Sequence, residues 1–560
     1  MGELLNIAAT LTETARQFPD QCGVVVPHQR GKGSAIAQVT FRELDQLSDR
    51  LAAGMRRIVI TPGTRIVLMV RPGIEFIALT YALFKAGAVV VLIDPGMGPK
   101  RVFRCLDQVE PEGFVAISPV QALRTLSVGR FPKARFNVTV GRRWFWGGPT
   151  YANLAAEDAA RFEIAPTRST DPAAIIFTSG STGPAKGVVY EHGMFAAQVD
   201  ELREYYGIAS GGLDLPGFPL FALFNAAMGM TTVIPEMDPT RPAQVDPEKI
   251  VRAILNERVT QGFGSPAIWK RVGPWCEARQ VNLPSLQRVF SAGAPVPVDV
   301  LASMKKALTS PGAEMHTPYG ATEALPVCSI SATEVLSCTA ARTRAGAGTC
   351  VGHPFPGIRL KIIRISDAPL ADISLTQELP VGEIGEIIVR GSVVTREYFR
   401  QPEGTKAAKI SDGDGFWHRM GDVGYLDAEG ALWFCGRKVH RVETGSGTIF
   451  TDCVEPVFNT HPRVARCALV GVGRRPDQVP VIVIEAEGRV TLADIEPELR
   501  QIAQSHDTTR SIERFLVYPG SLPVDVRHNI KINREALTLW ATKKLASKPD
   551  AGSPVSEQLR

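Results

Sequence analysis

Ala173-Ala-Ile-Ile-Phe-Thr-Ser-Gly-Ser-Thr-Gly-Pro-Ala-Lys-Gly187 joins an unbroken apolar run to a loop of hydroxyls and glycines that ends on a lysine. The apolar half reads as a strand buried on both faces, because a strand with one wet face alternates apolar and polar residues. The loop half suits a polyphosphate. Gly180, Gly183 and Gly187 let backbone N–H groups approach closely, and Thr178, Ser179, Ser181 and Thr182 offer hydroxyl donors to phosphoryl oxygens. Lys186 brings a positive charge to the outer phosphates. This is not the phosphate loop in which Gly precedes the lysine and Ser or Thr follows it, since Ala185 and Gly187 hold those places. A surface turn rich in Ser and Gly is the alternative reading; fusion to a buried strand weighs against it.

The same buried-strand character recurs at Arg65 to Arg71, Val89 to Asp94 and Phe114 to Ile117, with helical spacing between, as from Ile74 to Ala86. Apolar strands alternating with helices predict parallel sheets covered on both faces, an α/β class, with ligands at the carboxyl ends of the strands. Farther on, Ile384 to Arg390 and Gly424 to Phe434 read as a more antiparallel region that turns at Asp427-Ala-Glu-Gly430. After Gly436 comes a smaller α/β segment with strands at Ala468 to Val472 and Val481 to Glu485 and a last helix near Arg534 to Lys544. The stretch from Leu215 to Pro235 is uncharged and long enough to cross a bilayer. Its prolines, glycines and Asn225 favour a buried strand and helix instead.

A chain of 560 residues exceeds what one hydrophobic core organises, so two or more domains are expected. With 44% hydrophobic and 21% charged residues it reads as an ordinary globular protein, neither disordered nor membrane-spanning. A net charge of +5 without a block of Lys and Arg leaves no footprint for nucleic acid. Nine scattered cysteines with no C-x-x-C pair read as reduced thiols of a cytoplasmic protein. Cys350 with His353 is too small a set for structural zinc. The opening Met1-Gly-Glu-Leu-Leu-Asn6 has an early acid and no apolar core, so neither a secretory signal nor myristoylation is expected.

Phe177 to Gly187 matches, almost letter for letter, the signature loop of the adenylate-forming superfamily, which includes acyl-CoA synthetases, luciferases and the adenylation domains of peptide synthetases. Further segments fall in that superfamily's order. Ser291-Ala-Gly-Ala-Pro295 resembles its adenine-side turn, with Gly293, Ala294 and Pro295 at the nucleotide. Tyr319-Gly-Ala-Thr-Glu323 resembles the motif in which the aromatic ring stacks on adenine beside Gly320, the threonine touches the α-phosphate and the glutamate binds Mg²⁺, which implies those roles for Tyr319, Thr322 and Glu323. Trp417-His-Arg-Met-Gly-Asp422 resembles the segment whose Asp binds both ribose hydroxyls, and Gly436-Arg437 resembles the start of the superfamily's interdomain linker, which implies that Asp422 binds ribose and Arg437 contacts ribose or phosphate. Pro523 to Arg534 resembles the segment of the adenylation lysine and implies Lys531, on an exposed loop. Here the chain departs from the pattern: Ile530 replaces Gly, the spacing from Pro523 is longer, and His440 stands where the hinge is usually Asp or Lys. Residue types agree with the chemistry, since a hydroxyl donor, a metal-held acid and a lysine stabilise charge building on the α-phosphate.

The resemblance implies a large N-terminal domain over 1–439, made of packed, mostly parallel sheets plus a β-rich subdomain. A small mobile α/β lid follows over 440–546, and a mobile tail over 547–560. It implies ATP and Mg²⁺ as cofactors. His440 is either a solvated linker histidine or a hinge with a catalytic part, and His192 reads as structural. Phe218, Phe221, Phe224 and Met228 line either an acyl pocket or ordinary core. Gly264-Ser-Pro-Ala-Ile-Trp269, Ser291 to Pro297, Pro318 to Pro326, Gly436 to Arg441 and Arg527 to Lys531 together resemble the olefin β-lactone synthetases of bacterial long-chain hydrocarbon biosynthesis. That resemblance implies a long-chain 2-alkyl-3-hydroxy acid and ATP as substrates, with a β-lactone, AMP and pyrophosphate as products. Its implied partners are an α/β-hydrolase-fold β-lactone decarboxylase and a reductase. The rival readings are a fatty acyl-CoA synthetase and a nucleotide-binding scaffold without catalysis.

Overall fold

In the computed structural model, residues 3–27, 38–158, 161–177, 185–524 and 531–546 are described. The chain divides into two units: Met1–Val327 with Phe355–Ile358 and Gly391–Ala407, and Cys328–Pro354 with Arg359–Arg390 and Ala408–Arg560.

The first unit is built on two sheets. One has six strands in the order Phe136–Val140, Gly113–Ile117, Arg65–Met69, Val89–Ile93, Pro172–Phe177 and Gly187–Glu191. All its pairings are parallel except the last, where Pro172–Phe177 and Gly187–Glu191 run antiparallel. Each apolar run of the sequence is therefore a strand here. Most of their Val, Ile and Leu side chains are buried, with Ile117, Val140 and Ile176 half-buried, because helices cover the sheet as parallel strands require. The helix Ile74–Lys85 is apolar almost all round and buried along its length. Its closing Lys85 is wholly buried, and the charge is matched by Asp45 and Asp49, each 2.6 Å from Nζ.

The second sheet has seven strands in the order Glu314–His316, Arg288–Ser291, Gln261–Gly264, Leu213–Pro216, Thr231–Val233, Cys22–Val25 and Gln38–Thr40. It is parallel but for its last pair. The uncharged stretch from Leu215 lies within it: strand Leu213–Pro216, a turn, helix Ala222–Met228 and strand Thr231–Val233. Among the described residues no helix is long and apolar enough to cross a membrane.

The second unit holds an antiparallel sheet of strands Thr349–Pro354, Leu432–Arg437, Gly415–Leu426, Gly385–Arg390 and Arg359–Ile363. Asp427 closes the hairpin at its centre by accepting hydrogen bonds from the Ala431 N–H at 2.8 Å and the Trp433 indole at 2.7 Å. Beyond it Thr444 and Gly447 face each other in a tight hairpin. A three-stranded sheet, Val464–Val472, Val479–Ala486 and Arg514–Val517, follows. It packs one apolar face on Phe458, Ile495 and Leu499 and the other on Leu537 and Ala541 of the last helix, Arg534–Ala546.

Candidate active site

Both ends of the hydroxyl- and glycine-rich loop are held in the first unit, because Phe177 and Gly187 are partners across the one antiparallel step of the six-stranded sheet. A Cβ on Gly187 would meet the Phe177 ring at 2.9 Å and Ile175 Cγ2 at 3.0 Å, so a side chain there would push both aside. Thr178, Ser179, Gly180, Ser181, Thr182 and Gly183 lie outside the described residues.

Lys186, the last charged residue of the loop, is half-buried, and its Nζ lies 4.5 Å from the centroid of the Tyr398 ring. The phenol of that same ring donates a 2.8 Å hydrogen bond to Glu323 Oε1. Three chain segments converge to make this possible. The Phe399 N–H donates to Gly187 O at 2.7 Å, the Thr395 N–H donates to Glu323 O at 2.9 Å, and the Tyr190 hydroxyl donates to Thr322 O at 2.6 Å. The fold thus brings Lys186 and the adjacent pair Thr322 and Glu323, from segments more than a hundred positions apart, together around Tyr398. Tyr398 was not among the residues singled out from sequence, and nothing in Arg396-Glu-Tyr-Phe399 marks it.

Glu323 is half-buried, with Oε1 committed to Tyr398 and no hydrogen bond to Oε2 among the described residues. No cluster of three or more His, Cys, Asp or Glu suited to a metal occurs among the described residues. A lone carboxylate with one oxygen available fits Mg²⁺, which keeps waters and substrate phosphates as ligands and needs few from protein.

Tyr319 and Gly320 open a hairpin, strand Tyr319–Ala321 returning as Ala324–Ser329. A Cβ on Gly320 would sit 2.7 Å from Ala324 O, so the turn into Thr322 and Glu323 needs glycine. Gly293, between the buried end of strand Arg288–Ser291 and the half-buried Ala294, adopts φ +94°. Pro295 beside it is exposed. This turn leaves the carboxyl edge of the seven-stranded sheet, where α/β proteins hold ligands.

In the second unit Asp422 is buried on strand Gly415–Leu426, and Arg437 is its partner across the hairpin. Arg437 Nη1 donates to Asp422 Oδ1 at 2.9 Å and to Met420 O at 3.3 Å. His440 ends the short turn Lys438–His440. Burial first, then the nearby charges of Arg534, Arg437 and Arg475, push its pKa down to about 3, so the imidazole is neutral at working pH. Lys531 is half-buried, not exposed, and precedes the last helix. Arg534, at the start of that helix, forms a two-pronged ion pair with Glu455, with Nη2 2.9 Å from Oε2.

Phe221 stacks face to face on Phe263 with centroids 3.7 Å apart, and Phe224 lies 5.8 Å from Phe221. Phe224 and Met228 are buried, whereas Phe218 and Phe221 are half-buried. His192 is structural: it is fully buried, its Nδ1 accepts the Ile7 N–H at 3.2 Å, and burial lowers its pKa to about 4.

Residues 11–399 match the family model of AMP-binding enzymes. An olefin β-lactone synthetase from Stenotrophomonas maltophilia is 48% identical over 556 residues, covering 97% of this chain and 99% of that protein. An olefin β-lactone synthetase from Xanthomonas campestris pv. campestris matches with the same identity and coverage, 48%, 97% and 99%. Among solved structures, an amide bond synthetase from Marinactinospora thermotolerans has the same fold, with a TM-score of 0.77 at 22% identity over 96% of this chain and 99% of that one. Likeness runs nearly the whole length of these chains, and the protein accordingly belongs to the AMP-binding family of adenylate-forming enzymes, alongside olefin β-lactone synthetases.

Proposed function

We propose that the enzyme converts a long-chain 2-alkyl-3-hydroxy acid and ATP to a β-lactone, AMP and pyrophosphate. The observation that carries this reading is the 48% identity, end to end, with two olefin β-lactone synthetases. A carboxylate oxygen of the substrate attacks the α-phosphorus of ATP; that P–O bond forms as the bond to the β-phosphate oxygen breaks, and pyrophosphate leaves. The 3-hydroxyl oxygen of the same molecule then attacks the acyl carbon, the acyl–AMP bond breaks, and the hydroxyl proton passes to solvent. Tethering makes the second step intramolecular, which offsets part of the cost of closing a four-membered ring.

In this reading the loop residues Thr178, Ser179, Gly180, Ser181, Thr182 and Gly183 cradle the β- and γ-phosphates, with Lys186 as their counter-charge. Thr322 donates to the α-phosphate. Glu323 holds magnesium, which when bound neutralises phosphate charge. The Tyr398 contact at 2.8 Å supports this role by holding the carboxylate in one orientation. Tyr319, Gly320, Gly293, Ala294 and Pro295 receive adenine, and Asp422 with Arg437 receives ribose. Lys531 neutralises the carboxylate and α-phosphate as they meet. Phe221, Phe224 and Met228 line the acyl pocket, and the half-buried Phe221–Phe263 stack, apolar and not sealed within the core, supports an apolar chain there. Residues 440–546 act as a lid that swivels about His440 against 1–439, ahead of the tail 547–560. We place the enzyme in the cytoplasm, in keeping with nine free thiols, where it hands its product to an α/β-hydrolase-fold β-lactone decarboxylase and a reductase.

The alternative is a long-chain acyl-CoA ligase, which shares the first step. Incubation of the protein with ATP, Mg²⁺ and a racemic long-chain 2-alkyl-3-hydroxy acid, without coenzyme A, separates the two. We expect lactone by mass spectrometry; turnover only with coenzyme A, yielding thioester, would overturn the reading.

A further inference from the structure

The strand Phe136–Val140 forms one edge of the six-stranded sheet, and helix Ser118–Leu126 leads into it. Between Glu112 and Glu157 there is no acidic residue, while Arg124, Arg130, Lys133, Arg135, Arg142 and Arg143 are basic. Five of the thirteen exposed large hydrophobic residues among the described residues fall in this same short stretch: Leu123, Leu126, Val128, Trp144 and Phe145. Among the described residues, basic and apolar exposure coincide nowhere else to this degree.

The aromatic part is held in place. Trp146 is buried and its indole donates to Thr139 Oγ1 at 2.8 Å. Trp144 and Phe145 pack on it with centroids 5.4 Å and 5.0 Å away, yet remain 53% and 62% exposed. Ser118 Oγ donates to Arg142 O at 2.5 Å, tying the loop to the helix start. Gly148, at φ +93°, lets the loop pass over Asn137 O, which a Cβ would meet at 2.3 Å. A fold that braces two aromatic rings outward loses hydrophobic stabilisation in water, and such rings beside positive charge match the boundary of a bilayer, where amphipathic rings sit at headgroup depth.

The charge balance points the same way. Arg130 and Lys133 are neutralised by Asp107 and Glu110, at 2.7 Å and 2.8 Å. Arg143 donates only to a carbonyl, Gly148 O, and Arg124 only to Gln121 and Thr125, so neither positive charge is matched by a carboxylate among the described residues. Arg142 and Arg135 are exposed. On the helix Leu123 and Leu126 are three residues apart and share a face, and Val128 beyond them is 91% exposed.

We propose that this sheet edge, comprising helix Ser118–Leu126 and the Arg142–Trp146 loop, docks the enzyme on a bilayer surface rich in anionic phospholipid. Trp144 and Phe145 enter the interface while Arg142 and Arg143 meet the headgroup phosphates. The inference stands on the surface alone and does not depend on the reaction assigned above. For a long-chain acid it supplies the enzyme where such chains partition.

The test is co-sedimentation of the full chain with vesicles of phosphatidylcholine alone or mixed equally with phosphatidylglycerol. We expect binding to the mixed vesicles that weakens with salt, and little to phosphatidylcholine. Trp144→Ser/Phe145→Ser and, separately, Arg142→Gln/Arg143→Gln should each lower the vesicle partition coefficient about tenfold or more. The arginine pair, exposed and without carboxylate partners among the described residues, serves where the aromatic pair impairs folding. Melting temperature and pyrophosphate exchange with a short, water-miscible hydroxy acid report that the variants are intact. Equal binding to both vesicle types, no binding to either, or parent-like partition by the intact arginine variant overturns the proposal. So does a variant defect confined to self-association or capture of another protein.

Discussion

Tyr398→Phe keeps the ring beneath Lys186 and deletes only the hydroxyl that orients Glu323. If that hydroxyl fixes the metal-binding acid, the Mg²⁺ concentration for half-maximal ATP–pyrophosphate exchange should rise about tenfold, the worth of one hydrogen bond to a charged group. The rate at saturating Mg²⁺ should change far less. Superimposable Mg²⁺ titrations of variant and parent would show that the phenol does not act through Glu323. Lys531→Ala should fail differently: exchange falls by about a hundredfold or more at every Mg²⁺ concentration, while nucleotide binding and melting temperature stay near those of the parent. Equal exchange rates would mean the lysine is misassigned. Lys186, Thr322 and Glu323 were legible in the sequence because each sits in a string of unusual composition. Tyr398 was not, since its partner lies 75 positions away and an aromatic residue in an ordinary context has no mark of its own.

The hairpin from Tyr319–Ala321 into Ala324–Ser329 carries the acid and the threonine together, and its backbones approach closely at Gly320. Gly320→Ala places a Cβ 2.7 Å from Ala324 O and 3.1 Å from Leu325 Cβ, and a strand backbone cannot step aside as a side-chain tip can. A loss of about 1–3 kcal/mol is expected, with exchange activity falling alongside. Gly404→Ala is the contrast: it lies within helix Pro402–Ala408 with Gln401 Oε1 3.4 Å away, and should be neutral or stabilising by about 0.5–1 kcal/mol. Urea unfolding of both variants checks the pair, and equal stabilities would remove the argument from close approach. Most elements could be read directly from the chain, as at Arg65–Met69, Val89–Ile93 and Ile74–Lys85, because burial of both faces imposes a continuous apolar run. Their order could not: strand Cys22–Val25 joins Thr231–Val233, a pairing between residues two hundred positions apart that no local pattern announces.

Buried ionisable groups of opposite tendency make stability respond to pH in a way no single motif foretells. His192 and His440 have pKa values lowered to about 4 and about 3, mainly by burial, so as pH falls below 6.5 the unfolded chain takes up their protons first and the fold loses stability. Asp214 and Asp452 are raised to about 7, again mainly by burial. From about pH 7 down to their ordinary value of 3.8 the folded chain binds those protons first, and acidification stabilises it. Between about pH 6 and 4.5 the two pairs oppose each other. His440→Asn removes one histidine, and the variant should gain on the parent about 1.4 kcal/mol for each pH unit of acidification in that window. Parallel stability–pH curves from urea melts would rule this out. The α/β class and the family could be read from the chain alone, and so could the short motifs from which the proposed nucleotide and metal roles start. They rest on residue type and short-range spacing, which local sterics and burial translate directly into strand, helix and loop. The meeting of Lys186 with Glu323 at Tyr398, the Asp422–Arg437 pair, the brace of Arg534 on Glu455 and the outward set of Trp144 and Phe145 emerge only on folding. Each depends on which distant segments pack together, and that is settled by the summed burial and backbone pairing of the entire chain, not by any stretch of it.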